Sequence, residues 1–397
     1  MRVSTAALIR QAIGNIQERQ VAIAGLQNQI SSGQRIGTPS DDPLSSARIR
    51  GIDDSLARLA QYDRNGGRAA DRLNIEEGAL AGMTDLLQRV RELVVQGANA
   101  TQSSETRSLI AAEIVGLRNT LIDLGNTRDG QGEFVFAGLK STTLPFVEVG
   151  GSVQYFGDRN ERELQIGAQR RVVDGDPGSR VLLALPAGNG DFEVSTGVNT
   201  GTLAVRATSV ADPTAFTQDD YVITFTSETD FEVATDPGGV IVDTGTLDGS
   251  DVLATQGVLI EFDGAPAAGD TLALDARARQ DVFASLDRII AALDRGSVDE
   301  AGLAIVRSEL NSGLENLDQA LVRLVEVRAD VGVRLNAIED QTLAHSQLDL
   351  ELRATRSTLA DTDLATAISD LNLQLTSLQA AQQSFARTQN LSLFNFL

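Results

Sequence analysis

The chain has 397 residues, 33 Lys+Arg against 55 Asp+Glu, and a formal net charge of −22 at pH 7. A balance this acidic argues against a nucleic-acid or anionic-membrane partner, because both need a cationic footprint. There is no cysteine, no tryptophan and one histidine, His345, which excludes disulfides and thiolate chemistry and leaves little for catalysis. We therefore expect no enzyme, no cofactor, and no catalytic or metal site.

The first 30 residues predict a long helix whose contact stripe repeats with the alternating 4-3 spacing of a coiled coil. It should end near Gly33, and a second helix should begin with Asp42 as N-cap and Pro43 as first helical residue. We expect that second helix to continue through the Asn65-Gly66-Gly67 sequence, and Ser103 to open a third. The stripe consists of Ile9, Ile13, Ile16, Gln20, Ile23, Gln27 and Ile30.

The periodicity changes to that of short strands after residue 126. Residues 133–166 predict hairpins, with Phe134-Val135-Phe136 as one strand. Residues 172–275 are rich in Gly, Asp and Thr and carry 18 acidic residues against two arginines, a net charge of −16. They predict a separate acidic β domain, with strand-like runs at 181–185, 202–207, 221–226, 231–234, 240–242 and 258–262.

Helical periodicity returns from Val282. Ser297 and Glu300 have the spacing of a capping box, and an uninterrupted stripe from Leu303 to Leu359 predicts one very long helix. The pattern slips between 359 and 364, and then a last stripe runs to the C-terminus. Long apolar stripes at both chain ends need partners, so we expect both ends to be assembly elements. The last stripe and tail comprise Ile368, Leu371, Leu375, Leu378, Gln382, Phe385, Gln389, Leu391, Leu393, Phe394, Phe396 and Leu397.

Few side chains are candidates for chemistry. His345 falls on the helical stripe and predicts a half-buried packing residue, since no ligand cluster accompanies it. The acidic pairs 174–176, 219–220 and 248–251 could supply calcium ligands, but they lack the regular alternation of a calcium loop. The stripe glutamines either fix the helix register or mark surfaces that stay exposed until assembly. No signal peptide and no membrane span are evident.

Several segments resemble the bacterial flagellar hook-filament junction proteins, the third hook-associated proteins of the flagellin-like family. The resemblance covers residues 1–170 and 276–397, whereas 172–275 matches no pattern. Flagellin is the near relative, but Pro39 and Pro43 and the terminal Phe394 and Phe396 favour the junction proteins. The matching segments are 1–5, 29–36, 38–43, 133–138, 142–146, 361–368 and 391–397.

The resemblance implies a mainly α fold with an inserted β domain. Long antiparallel coiled-coil helices would come from both termini (1–40 and 361–397), a helical rod from 41–171 and 276–360, and an outer acidic β domain from 172–275. Pro39, Asp41, Asp42 and Pro43 would bend the chain between terminal and rod domains. The interface residues would be Ile9, Ile13, Ile16, Ile23, Ile30, Ile368, Leu371, Leu375, Leu378, Phe385, Leu391, Leu393, Phe394, Phe396 and Leu397.

It also implies a location and partners. Copies would form a ring outside the cell, between a hook-side junction protein and flagellin, and seed flagellin polymerisation. Export would use the flagellar type III apparatus without a cleaved signal peptide, with an export chaperone on the C-terminal helix. Two alternatives remain at this stage: a flagellin filament subunit, and a secreted calcium-dependent adhesin or enzyme carried by the β insert.

Overall fold

The computed structural model describes residues 5–99, 101–197, 199–247, 249, 251–296 and 298–394. Helix dominates both ends of the chain, and the strands lie between residues 146 and 280. The helices are α1 (Thr5–Ser32), α2 (Pro43–Gly97), α3 (Ser104–Gly125), α4 (Gly178–Leu182), α5 (Val282–Leu293), α6 (Glu300–Ala360) and α7 (Leu364–Phe394), with a 3-10 turn at Val135–Ala137.

The strands of the described residues form one five-stranded sheet, one three-stranded sheet and three two-stranded pairs, all antiparallel. The larger sheet has the order β10-β9-β8-β13-β6, and the smaller β11-β12-β7. The bounds are β1 (Phe146–Val149), β2 (Ser152–Tyr155), β3 (Glu163–Gln165), β4 (Arg171–Val173), β5 (Leu185–Pro186), β6 (Phe192–Thr196), β7 (Ala204–Val210), β8 (Asp220–Phe225), β9 (Asp230–Asp236), β10 (Ile241–Thr246), β11 (Val252–Thr255), β12 (Val258–Asp263), β13 (Thr271–Ala276) and β14 (Arg279–Gln280).

The chain divides into two compact units. The first, the terminal unit, comprises Met1–Arg64 and Asp340–Leu397, and the second, the central unit, comprises Asn65–Glu339. Both division points fall within helices, α2 and α6, rather than at the loops that the sequence patterns suggested as domain boundaries. The predicted boundaries at 40/41, 171/172, 275/276 and 360/361 stay a prediction.

The central unit contains two hydrophobic cores. In the first, α2, α3, α5 and α6 bury their apolar stripes together, with Leu80, Leu87 and Leu324 fully inaccessible. The second lies between the two larger sheets and is built from residues 192–274, including Phe192, Phe225 and Ile260. Strand alternation explains it, because β8 and β12 turn every second residue inward.

The structure corrects two strand predictions. The Phe134–Phe136 segment forms the 3-10 turn, with Phe136 buried in the helical core. The 181–185 run is not a strand, since Val181 and Leu182 end the short helix α4 and pack in that same helical core. Both segments are apolar throughout, so alternation could not distinguish a strand from a buried turn. The other strand-like runs correspond to β7, β8, β9, β10 and β12.

Most helix predictions are confirmed. Helix α2 continues through Gly66 and Gly67, and α6 extends over 61 residues. Ser103 caps α3 by accepting a hydrogen bond from Thr106 N at 3.2 Å. Ser297 lies outside the described residues; at the start of α6, Asp299 Oδ1 accepts from Gly302 N at 2.9 Å. In the described part of the chain, no helix is long and apolar enough to cross a membrane.

Candidate assembly surface on the terminal helices

In the terminal unit, α1 packs along α7. Arg19 Nη1 donates to Gln374 Oε1 at 3.2 Å, and Thr362 N, just before α7, donates to Gly33 O at 2.9 Å, just after α1. As position numbers rise on one helix they fall on the other, so the two helices run antiparallel. Each helix thus shields part of the apolar face of the other helix from water.

The inward faces of the pair repeat with alternating 3-4 spacing. Ile23 is the most buried member of α1, at 7% exposure, and Ala367 of α7, at 5%. The Arg19–Gln374 pair supplies a polar contact within this otherwise apolar strip. The inward residues are Ile9, Ala12, Ile16, Arg19, Ile23, Leu26 and Ile30 on α1, and Ala367, Leu371, Gln374, Leu378, Ala381 and Phe385 on α7.

Three residues of the predicted interface, and three stripe glutamines, face away from this pairing. Ile13, Ile368 and Leu375 are 41%, 48% and 37% exposed, and Gln20, Gln27 and Gln382 are exposed as well. Each lies one position after an inward residue, so together they form a second stripe on each helix. The sequence pattern merged the two stripes, because small Ala12 and Ala381 are weak apolar markers beside Ile13 and Gln382.

The end of the last helix carries the apolar tail. Leu391, Leu393 and Phe394 have helical backbone within α7, but their side chains lie outside the described residues, as do Phe396 and Leu397 entirely. The contacts of these five predicted interface residues therefore stay a prediction.

A non-helical segment, residues 33–42, separates α1 from α2. Gly33 adopts a positive φ of 71°, which ends α1 in the manner the sequence predicted. Arg35 N donates to Ala360 O at 2.7 Å, and Arg35 Nη2 donates to Leu359 O at 2.6 Å. The segment is thus held against the junction between α6 and α7.

Two aspartates shape the end of this segment. Backbone N–H groups of Thr38 and Gly37 donate to Asp41 Oδ2 at 2.7 and 3.0 Å, and the Thr38 bond is the main reason the pKa of Asp41 lies below its usual range. Asp42 Oδ1 accepts from Ser45 N at 3.0 Å, and bonding from Ser45 likewise lowers the pKa of Asp42. Asp42 is therefore the N-cap of α2, ahead of Pro43.

His345 and two of the candidate calcium-binding aspartates have structural partners, whereas Asp248 lies outside the described residues. His345 is buried, with Nδ1 2.7 Å from Asp63 Oδ1, Nε2 2.9 Å from Gln341 Nε2, and its ring stacked on Tyr62. Asp174 and Asp176 are paired with arginines rather than open to calcium. Among the described residues no cluster of three His, Asp or Glu side chains has metal-binding geometry.

Sequence reasoning missed a polar face of α6 that binds the β core. Ser308 Oγ accepts from Val205 N at 2.9 Å, and Asn311 Nδ2 donates to Val205 O at 2.8 Å. One turn on, Glu315 Oε1 accepts from the Thr208 hydroxyl at 3.0 Å, and Asn316 Nδ2 donates to Glu193 Oε1 at 3.0 Å. The i, i+4 recurrence of polar residues beside the leucine stripe was the available signal.

Comparison with known proteins agrees with this architecture. The model of the bacterial flagellin N-terminal helical region matches residues 3–141. Flagellar hook-associated protein 3 of Escherichia coli K12 is 28% identical over 398 residues, covering 99% of both chains. The crystal structure of Xanthomonas campestris FlgL in space group H3 is 30% identical with a TM-score of 0.70, covering 77% of this chain and 99% of that one.

A second solved structure is similar over most of the chain. The flagellar junction protein FlgL from Legionella pneumophila is 28% identical with a TM-score of 0.69, covering 79% of this chain and all of that one. Flagellins match a shorter region: that of Salmonella typhimurium is 33% identical over 119 residues, 24% of its length. Helices from both chain ends around an inserted β region define a flagellin-like protein. Within that class, the chain belongs to the FlgL family, the flagellar hook-associated proteins 3.

Proposed function

We propose that this protein is a structural subunit of the bacterial flagellum, where it joins the hook to the filament and seeds flagellin polymerisation. The match to FlgL proteins over nearly the whole chain supports this function, whereas flagellins match only in part. The relatives are structural proteins of the flagellum, and we propose no catalytic role and no cofactor. The protein would act outside the cell, in a ring of several copies between a hook-side junction protein and flagellin.

The observation that carries the proposal is how few charges the terminal helices have. Helix α1 has three charged residues in 28, and α7 two in 31, although charged residues make up 22% of the chain. A helix pair that remained in water would normally carry a charged outer face. These two therefore have the composition of helices that become covered on further sides by other subunits.

We infer that the two outward stripes form one assembly surface. In an antiparallel coiled coil, residues that follow the inward positions by one lie on the same side of both helices. Ile13, Gln20 and Gln27 would then share a side with Ile368, Leu375 and Gln382. Mixed glutamine and aliphatic residues suit a surface that is exposed in the monomer and buried in the ring.

Substitutions on α7 separate pairing within the chain from assembly between chains. Leu371→Gln, on the inward face, should lower both the helix content of the monomer and its incorporation into flagella. Leu375→Gln, on the outward stripe, should leave monomer circular dichroism unchanged and reduce incorporation at least about tenfold, the cost of burying an unpaired amide. Leu373→Gln is the control, because Leu373 lies off the stripe and is more exposed, at 63%, than Leu375. Equal incorporation of the Leu375 and Leu373 variants would contradict the assembly surface.

The remaining assignments are proposals of the same kind. Pro39, Asp41, Asp42 and Pro43 would set the direction of the chain between terminal and rod domains, supported by the non-helical 33–42 segment and its capping bonds. Export would proceed without a cleaved signal peptide, and a chaperone would cover the α7 stripe until assembly.

Deletion of the protein tests the function directly. We expect the deletion strain to keep intact hooks, to lack filaments, and to release unpolymerised flagellin into the medium, as scored by electron microscopy and immunoblotting of the supernatant. A copy of the gene supplied in trans should restore filaments. Normal filaments in the deletion strain would refute the proposed function.

A further inference from the structure

Two carboxyl groups meet inside the central unit where solvent does not reach them. Glu76, on α2, and Asp176, just before α4, are both 0% exposed. Asp176 N donates to Glu76 Oε1 at 2.9 Å, so the two residues are in direct contact. A carboxyl group removed from water must either be paired as an anion or keep its proton.

Asp176 is paired as an anion. Its carboxylate receives Arg180 Nη1 at 2.6 Å, and Arg334 Nη1 and Nη2 at 2.8 and 3.2 Å. Arg180 also pairs with Glu161 at 3.0 Å and Asp330 at 2.7 Å. The charge of Asp176 is therefore compensated by guanidinium groups from two helices, α4 and α6.

Glu76 forms no such ion pair among the described residues. Its Oε2 finds no hydrogen-bond partner among the described residues. The Nη1 and Nη2 groups of the nearby Arg72 are engaged elsewhere, with Asp129 Oδ2 at 2.6 Å and with the carbonyl oxygens of Phe134 and Val135 at 2.8 and 3.1 Å, whereas its buried Nε has no hydrogen-bond partner among the described residues. Burial first, and then the negative charge of Asp176, raise the pKa of Glu76 to about 8, against the opposing pull of Asp176 N, Arg334 and Arg72.

A glycine brings the backbone close to this group. A β-carbon at Gly175 would lie 3.2 Å from Arg72 Nε and 3.7 Å from Glu76 Oε2. The segment 174–176 thus lies directly against both α2 side chains, and any larger residue at position 175 would crowd them. A new charge on Glu76 would act on this segment at short range, since little solvent screens it.

We propose that Glu76 is a proton-dependent latch for the segment 174–182. As a neutral carboxyl it accepts the Asp176 N–H and holds the segment, with α4 behind it, against α2. Once ionised, it repels the Asp176 carboxylate and turns towards Arg72, and the segment loosens. The segment leads into β5 and β6, so the latch controls how firmly the entry to the β core is fixed on the helices.

The composition of the chain makes the titration of Glu76 measurable. The chain has no cysteine, one lysine (Lys140) and one histidine (His345), so few groups other than Glu76 titrate between pH 6.5 and 9.5. Between the ordinary glutamate pKa of 4.5 and the folded value of about 8, the native state holds a proton that the unfolded state does not. The stability from this proton is therefore complete below pH 4.5 and lost as pH rises through 8.

Proton release on unfolding by urea, measured in weakly buffered full-length protein, tests whether Glu76 is protonated in the folded state. At pH 7 the wild type should release about one proton more than Glu76→Gln, and at pH 9.5 the two should release the same number. His345 and the terminal amine contribute equally to both and cancel. Glu77→Gln, at the neighbouring half-buried ion pair with Arg328, should behave as wild type. Equal release by wild type and Glu76→Gln at pH 7 would overturn the proposal.

Hydrogen exchange of amides 174–182 tests whether this segment loosens when Glu76 ionises. Comparing wild type with Glu76→Gln at the same pH removes the intrinsic pH dependence of exchange. At pH 6.5 the two should agree, and at pH 9 the wild type should exchange at least about fivefold faster in this segment alone. Equal exchange at pH 9 would overturn the latch. If Glu76→Gln does not fold, the fall in wild-type proton release from pH 7 to pH 9.5 still decides whether the buried proton exists.

Discussion

The buried charged residues of the central unit are the single residues that we expect to affect its stability most. From the sequence, Asp174-Gly175-Asp176 has the composition of a solvated turn, and only the fold shows that both aspartates are buried against arginines from distant positions. Local composition cannot reveal this, because Arg162 and Arg334 are brought to the turn by tertiary packing alone. The identity of His345 as a packing residue was predictable, but its partner Asp63, 282 positions away, was not.

Asp176→Asn should therefore be among the most destabilising polar substitutions in the chain. It removes the carboxylate that pairs with the guanidinium group of Arg334 and that is also one of the three paired with Arg180, for which we expect a loss of about 3 to 5 kcal/mol in the free energy of unfolding. Asp263→Asn, which breaks an exposed pair with Arg206, should cost less than about 1 kcal/mol. Urea unfolding of both variants at pH 7 measures the difference, and similar losses would show that the buried network does not stabilise the fold.

At the scale of elements, periodicity and end signals predicted most helices, because α1, α2, α6 and α7 are long and carry their own stop signals, Gly33 among them. The rotation of the terminal helices was less predictable. Both candidate stripes on α1 share Ile9, Ile16 and Ile23, and only packing against α7 selects Ala12 over Ile13. The prediction of a strand at 181–185 was wrong for a related reason, since an all-apolar run carries no periodicity that would distinguish a strand from the end of the short helix α4.

The cap of α3 gives a quantitative test at this scale. Ser103→Ala removes the acceptor for Thr106 N and should cost about 1 kcal/mol of stability, whereas Ser103→Asp should retain it. Denaturant midpoints of the two variants measure the effect. A Ser103→Asp variant as unstable as Ser103→Ala would show that the hydrogen bond is not what stabilises this end of the helix.

The terminal helices give a second test. Because the described residues of α1 and α7 pack mainly on each other, we expect free protein to show less helix by circular dichroism than the same protein assembled on hooks, with the docking step bearing the cost of ordering. Deleting residues 368–397 should abolish incorporation and leave the β core folded. Full incorporation of that truncated chain would contradict a role for α7 in assembly.

At the scale of the whole molecule, charge and architecture coincide. Residues 172–275 carry −16 of the total −22, which leaves the helical remainder near −6. Concentrating the negative charge in the β region spares the helical surfaces the mutual repulsion that would oppose close packing of copies. The composition revealed this partition, whereas the attachment of the β core to α6 through Ser308, Asn311 and Asn316 required the structure.

The β core should be removable as a unit. Arg277 N donates to Asp191 O at 3.2 Å, so the residues on either side of the β core are adjacent, and a two-residue linker can replace residues 192–276. We expect the shortened protein to remain soluble and to keep the helix signal of the full chain, because the helical core has its own buried cluster. Calorimetry and circular dichroism test this, and loss of the helix signal would show that the β core is needed to fold the rod.

The adjacency of Asp191 and Arg277 also determines which domains can be inserted between them. The β core is joined to the helices through two neighbouring chain ends and contacts α6 through hydrogen bonds, while the two hydrophobic cores are separate. A domain of different shape could therefore be attached at the same position. Evolution can enlarge, shrink or replace a module at such a point without redesigning the helices. An engineer can use the same point to graft an antigen or a binding domain whose termini lie close together, and so display it on the flagellum.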